Sequence, residues 1–96
     1  MPWRPPKHEL DPETLALRAL AHIVGDEVLL PRFFALSGLD PVSLRARAAE
    51  PAVLGGVLDF VLGDERLVIE LAEKFGIAPE FFARARRKLP GGSHLD

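Results

Sequence analysis

The sequence predicts an all-α fold: a compact bundle of five or six short helices. Three observations carry this. Glycine and proline interrupt the chain at near-regular intervals, and the stretches between them repeat apolar residues at helical spacing. Sustained apolar/polar alternation is absent, and β-favouring residues are scarce, with no tyrosine and one threonine. Most of the stretches open on a helix-start signal, an acid or a proline, and several close on glycine.

The first helix starts at Asp11. Its carboxylate can accept the free amides of the first turn, and Pro12 lacks only an amide that would stay unpaired. Glu13 complements the positive helix end. Leu17, Leu20, Ala21 and Val24 recur at helical spacing, and Gly25 ends the element. Asp26 caps the second helix, whose buried side is expected from Leu29, Leu30, Phe33, Phe34 and Leu36. Pro31 either distorts its first turn or marks its true start, with residues 26–30 as an extended lead-in. Gly38 stops it, and Asp40-Pro41 opens a third helix to about Ala48.

Pro51 opens the fourth. Val53, Leu54, Val57, Leu58, Phe60, Val61 and Leu62 make it apolar on almost every face, which predicts a central position. Gly55 and Gly56 lie inside it and would admit a neighbouring backbone, at about 1 kcal/mol of helix propensity each. Gly63 ends it, and Asp64 caps the fifth helix, with Val68, Leu71, Ala72 and Phe75 as its apolar stripe. Gly76 closes that element, and Pro79 opens a sixth with Phe82, Ala85 and Leu89 inward. The expected core is Leu20, Val24, Phe33, Leu54, Val57, Leu58, Val61, Val68, Leu71, Phe75 and Phe82.

One helical domain is therefore expected over residues 11–90. Residues 1–10 read as a flexible proline-rich tail and 91–96 as a second tail. Gly25-Asp26-Glu27 returns 38 residues later as Gly63-Asp64-Glu65, and the same offset pairs Gly38 with Gly76 and Pro41 with Pro79. Two fused three-helix repeats, 12–49 and 50–88, are one reading. Recurrence of ordinary cap residues is the other.

Composition removes several functions. At 96 residues there is room for one domain. Without cysteine there is no disulfide scaffold, thiol catalysis or cysteine zinc site. A net charge of −2 argues against a general nucleic-acid coat. The longest nearly apolar stretch, 51–62, is about half of the roughly 20 residues needed to span a bilayer, and no secretory signal opens the chain. A cytoplasmic protein with no membrane role is expected.

Catalytic material is thin. Thr14, Ser37, Ser43 and Ser93 are the only hydroxyls, and no GxSxG turn, phosphate loop or dinucleotide fingerprint occurs. His8, His22 and His94 are scattered and no HExxH pattern occurs. The acidic pairs Asp26-Glu27 and Asp64-Glu65 follow helix-stopping glycines, as capping requires and metal binding does not. No catalytic residue, cofactor or metal ligand is assigned, and the chain is not expected to be an enzyme. Asp59, the one ionisable residue of the fourth helix, is expected on a narrow solvent edge, with Arg66 as its ion-pair partner. A buried Asp59 opening on a pocket with a second carboxylate or a histidine would restore an enzyme reading.

The candidate partner-binding residues are Trp3, Arg45, Arg47, Arg84, Arg86, Arg87 and Lys88. The four cations at the end of the sixth helix complement its dipole, and they also offer a surface for phosphate or for carboxylates. Arg45 and Arg47 occupy the matching end of the third helix, while residues 50–75 hold six acids against two bases. This segregation favours a protein partner, or self-association as a homodimer, over DNA. Trp3, in a Trp-Arg-Pro-Pro run, is either a stiff docking anchor or a side chain that covers an apolar edge or stays unattached. The leading function is a non-enzymatic protein–protein interaction module, an adaptor or regulator. The alternative is a nucleic-acid-binding regulator using the basic C-terminal helix.

The runs GDEVLLPRFFALSGLDPVSLR, residues 25–45, and VLDFVLGDERLV, residues 57–68, resemble a group of short, mainly alphaproteobacterial proteins known only as a domain of unknown function. The resemblance covers roughly residues 12–90 and implies a small soluble helical bundle. It implies no activity, cofactor or catalytic residue. Trp3 and the closing GGSHLD lie outside it.

Overall fold

A computed structural model describes residues 10–90. They form six helices and, among the described residues, no strand: α1 (Pro12–Val24), α2 (Leu29–Ser37), α3 (Pro41–Arg47), α4 (Pro51–Leu62), α5 (Glu65–Phe75) and α6 (Glu80–Arg87). Residues 1–9 of the expected N-terminal tail, Trp3 included, and the expected tail 91–96 lie outside the described residues, while Leu10 packs partly buried against the core.

The helix ends follow from local chemistry. Asp11 caps α1 by accepting from the Thr14 amide at 3.1 Å, and Asp40 caps α3 by accepting from the Ser43 amide at 2.7 Å. Asp64 accepts from the Arg66 and Leu67 amides ahead of α5. Asp26 does the same for the Val28 and Leu29 amides, while the Leu30 amide donates to the Asp26 carbonyl. The lead-in to α2 is thus already turned and not extended, and Pro31 sits in the first turn of α2, where a proline is tolerated. Gly38 and Gly76 end α2 and α5 with φ of 77° and 70°, a left-handed geometry that side chains with a Cβ adopt at a cost.

Helix α4 is the axle. It packs against α1, α2, α5 and α6, and α1 also touches α2 and α6. Val57, Leu58 and Val61 of α4 are completely buried, as are Leu15 and Ile23 of α1, Leu71 of α5 and Phe82 of α6. Phe33 of α2 lies edge-on to Phe60 of α4, with ring centroids 5.4 Å apart. This burial is the main source of the fold's stability.

The inward faces differ from expectation in three helices. In α1 the buried line is Leu15, Ala16, Ala19, Leu20 and Ile23, while Leu17 and Val24 are exposed, Val24 at 49%. Small Ala16 and Ala19 allow close approach to α4, so α1 turns that side inward and Leu17 outward. In α2 only Leu29 and Phe33 are buried, and Leu36 is 75% exposed. In α5 the stripe is rotated towards Leu67, leaving Val68 and Phe75 partly buried against the core. The inward set on α6, Phe82, Ala85 and Leu89, is as expected.

Candidate functional site

Residues of α2, α3 and α4 enclose an open cleft of about 460 Å³. Phe33, Val53 and Phe60 supply much of its apolar lining, with Leu36 and Leu39 from the end of α2 and the turn after it. Gly56 completes the α4 side. A Cβ built there meets nothing within 4 Å, so this glycine leaves open space where any other residue would project a side chain. Arg47 and Asp59 add the charged groups of the lining, and Ser37 a hydroxyl, which accepts from the Leu39 amide at 3.1 Å. The volume suits one or two large apolar side chains of a docked segment.

Asp59 lies on the solvent edge of α4, as expected, with a half-exposed side chain. Its partner is Arg86 and not Arg66. The Arg86 Nε donates to the Asp59 carboxylate at 2.7 Å, and its Nη1 donates to the Leu89 carbonyl at 2.9 Å. The Arg86 side chain is only 10% exposed. Arg86 is therefore corrected from partner-binding candidate to internal strut. It occupies the same inward stripe of α6 as Phe82, Ala85 and Leu89, and Gly55 makes room for it. Both signals are visible in the sequence: the stripe position of Arg86, and a glycine within an apolar helix. The cleft carries a weaker signal, Gly56, and its walls come from separated segments.

The remaining basic candidates are exposed. Arg47 donates from Nε to Glu50 at 3.0 Å, and Arg45 is solvent-facing on the same helix. Arg87 is exposed, and Arg84 and Lys88 border a second hollow of about 290 Å³ with Leu10, Asp11 and Phe81. The Arg84 guanidinium stands 5.8 Å from the centre of the Phe81 ring. The α6 surface thus presents three cations where four were expected. Trp3 lies outside the described residues.

His22, in the last turn of α1, joins α1 to α5. Lys74, which has only protons to give, donates to His22 Nδ1 at 3.0 Å, and the Glu70 carboxylate is 3.6 Å from Nε2. Two carboxyls are held below the usual range, Asp26 by the Leu29 and then the Val28 amide, and Asp40 by the Ser43 amide and then its hydroxyl. Both are cap residues. Among the described residues no group of three or more His, Cys, Asp or Glu side chains could hold a metal ion. The cleft lining brings no second carboxylate or histidine to Asp59. Nor is any helix among the described residues long and apolar enough to cross a membrane.

These features define a small all-helical protein, six helices among the described residues, with an apolar cleft beside its central helix. The chain belongs to the family described as protein of unknown function (DUF3572), whose model matches residues 9–92. No curated protein and no solved structure matches it.

Proposed function

We propose that the chain is a non-enzymatic protein-interaction module, an adaptor or regulator in the bacterial cytoplasm. It takes an apolar segment of a protein partner into the cleft between α2, α3 and α4. The observation that carries this reading is the cleft itself, with Leu36 standing 75% exposed at its edge and Gly56 leaving its α4 side open. An exposed leucine alone is ordinary, but a leucine bordering an apolar concavity adds to a contiguous docking surface. Arg47 at the lining is placed to pair with a carboxylate of the bound segment, while Arg45, two positions away on α3, lies outside the lining.

A tagged pull-down from native lysate tests this, split so that one half receives nuclease. Leu36→Asp and Gly56→Leu are run in parallel, the second filling the cleft from its α4 side. Proteins held by the unaltered chain should survive nuclease and be lost from both variants. A nuclease-sensitive catch that ignores the cleft variants and disappears with Arg84→Glu and Arg87→Glu would replace this reading with nucleic-acid binding through α6.

A further inference from the structure

We propose that α1 carries the seam of a homodimer, its outer face lying parallel to the same face of a second copy of this chain. The inward side of α1 is engaged in the bundle, with Leu15, Ala16, Ala19, Leu20 and Ile23 buried. Its outer side is largely apolar as well. Thr14, Leu17, Ala21 and Val24 follow one another at the alternating three- and four-residue steps of a two-helix seam, and all four are exposed. Leu17 is 44% exposed and Val24 49%. The Thr14 hydroxyl donates to Asp11, so its proton is not stranded in the seam. A single exposed leucine is ordinary, but a row at this spacing along one helix is the surface that a second helix covers.

Charge names the occupant. Glu13 and Arg18 flank the row on opposite sides, and both are exposed. Among the described residues neither pairs with another side chain. In a parallel helix pair their spacing sets Glu13 of one copy beside Arg18 of the other, and the two-fold axis makes that contact twice. An antiparallel pair sets each flank against its own copy, Arg18 towards Arg18, and gains no such contact. The helix that supplies both a matching apolar row and the complementary charges is thus α1 itself. Its 13 residues give a seam about 20 Å long. That is short of a standard stable interface, so the dimer exchanges with monomer at high micromolar concentration. No residue of α1 lines the cleft between α2, α3 and α4, so the dimer carries two open clefts. A partner with two docking segments is held at both, more tightly than at one.

Sedimentation equilibrium of the full chain, from micromolar to millimolar concentration, reads the association directly. A monomer–dimer equilibrium is expected, with no species beyond the dimer, because the contact is isologous and closes on itself. Ala21→Asp sets two carboxylates face to face in the seam and should leave a monomer of unchanged helical circular dichroism. Should Ala21→Asp lose helicity, Val24→Lys replaces it. Arg18→Glu brings acid against acid at both flanks and should weaken the dimer about ten-fold. Adding Glu13→Arg to it exchanges the two charges and should restore the dimer. A chain that stays monomeric up to millimolar concentration overturns the proposal. So does a dimer that ignores Ala21→Asp, or an exchanged variant no tighter than Arg18→Glu alone. A monomeric chain that still captures proteins through its cleft overturns the α1 dimer alone and leaves the interaction-module reading standing.

Discussion

Two adjacent glycines in α4 do opposite things. At Gly55 an added Cβ would lie 2.8 Å from the Pro90 carbonyl and 3.1 Å from Arg86 Nη1, so the Pro90 backbone and the Arg86 strut occupy the space a side chain would take. At Gly56 the same atom would enter the open cleft. Helix propensity favours alanine by about 1 kcal/mol at either position. Overpacking costs about 1–3 kcal/mol and must displace backbone at Gly55, and it is absent at Gly56. Gly55→Ala should therefore lower stability by up to about 2 kcal/mol, and Gly56→Ala raise it by about 0.5–1 kcal/mol. Urea unfolding of the two variants decides it, and equal shifts would contradict the packing described. The sequence shows both glycines in one apolar helix but not which faces a neighbour, because that depends on Arg86, 31 positions further on. Arg86 itself reads as one of four surface cations by local charge, and only the stripe spacing of Phe82, Ala85 and Leu89 sets it apart.

At the scale of elements, the helices were legible because their ends are written in local chemistry. Asp26 and Asp64 each accept from the amides two and three residues on, so the two turns 38 residues apart repeat bond for bond. That repetition fits a duplicated unit and equally fits convergent capping. What local chemistry leaves open is the facing of an element with apolar residues on two sides, and α1 is the case in point. Leu17 and Val24 compete with Leu15, Ala19 and Ile23 for the core, and the fit against α4 selects the latter. Capping also carries a pH consequence. Asp26 and Asp40 have carboxyls held low in the folded state by amide donors that vanish on unfolding. Groups depressed in this way contribute stability above the unfolded carboxylate value, about 3.9, and lose it as pH falls through the folded value. Thermal midpoints should accordingly drop below about pH 4, and Asp26→Asn with Asp40→Asn should flatten that drop while lowering the neutral plateau. An acid limb of unchanged steepness in the double variant would show that the caps are not its source.

Across the whole molecule, anchoring is uneven, and the cleft lies where it is weakest. Helix α4 buries six of its twelve residues and is packed by four other helices. Helix α3 buries one side chain, Leu44, and is held otherwise by its cap and by the short links to α2 and α4. An element with so little buried apolar surface opens at a small fraction of the global unfolding free energy. Since α3 contributes Arg47 to the cleft, such opening widens the groove without disturbing the α1–α4–α6 core. The charge pattern made α3 a candidate surface in the sequence, but its loose attachment follows from tertiary packing that no local signal reports. Native-state amide exchange should show protection highest in α4, at or near the global value, and lowest in α3 among the six helices. Leu44→Ala removes the single anchor and should release the α3 amides further, with α4 protection falling by less than about 1 kcal/mol, because α3 and the core open separately. If α3 and α4 instead exchange together, the bundle opens as one unit and the groove is a rigid feature of the surface.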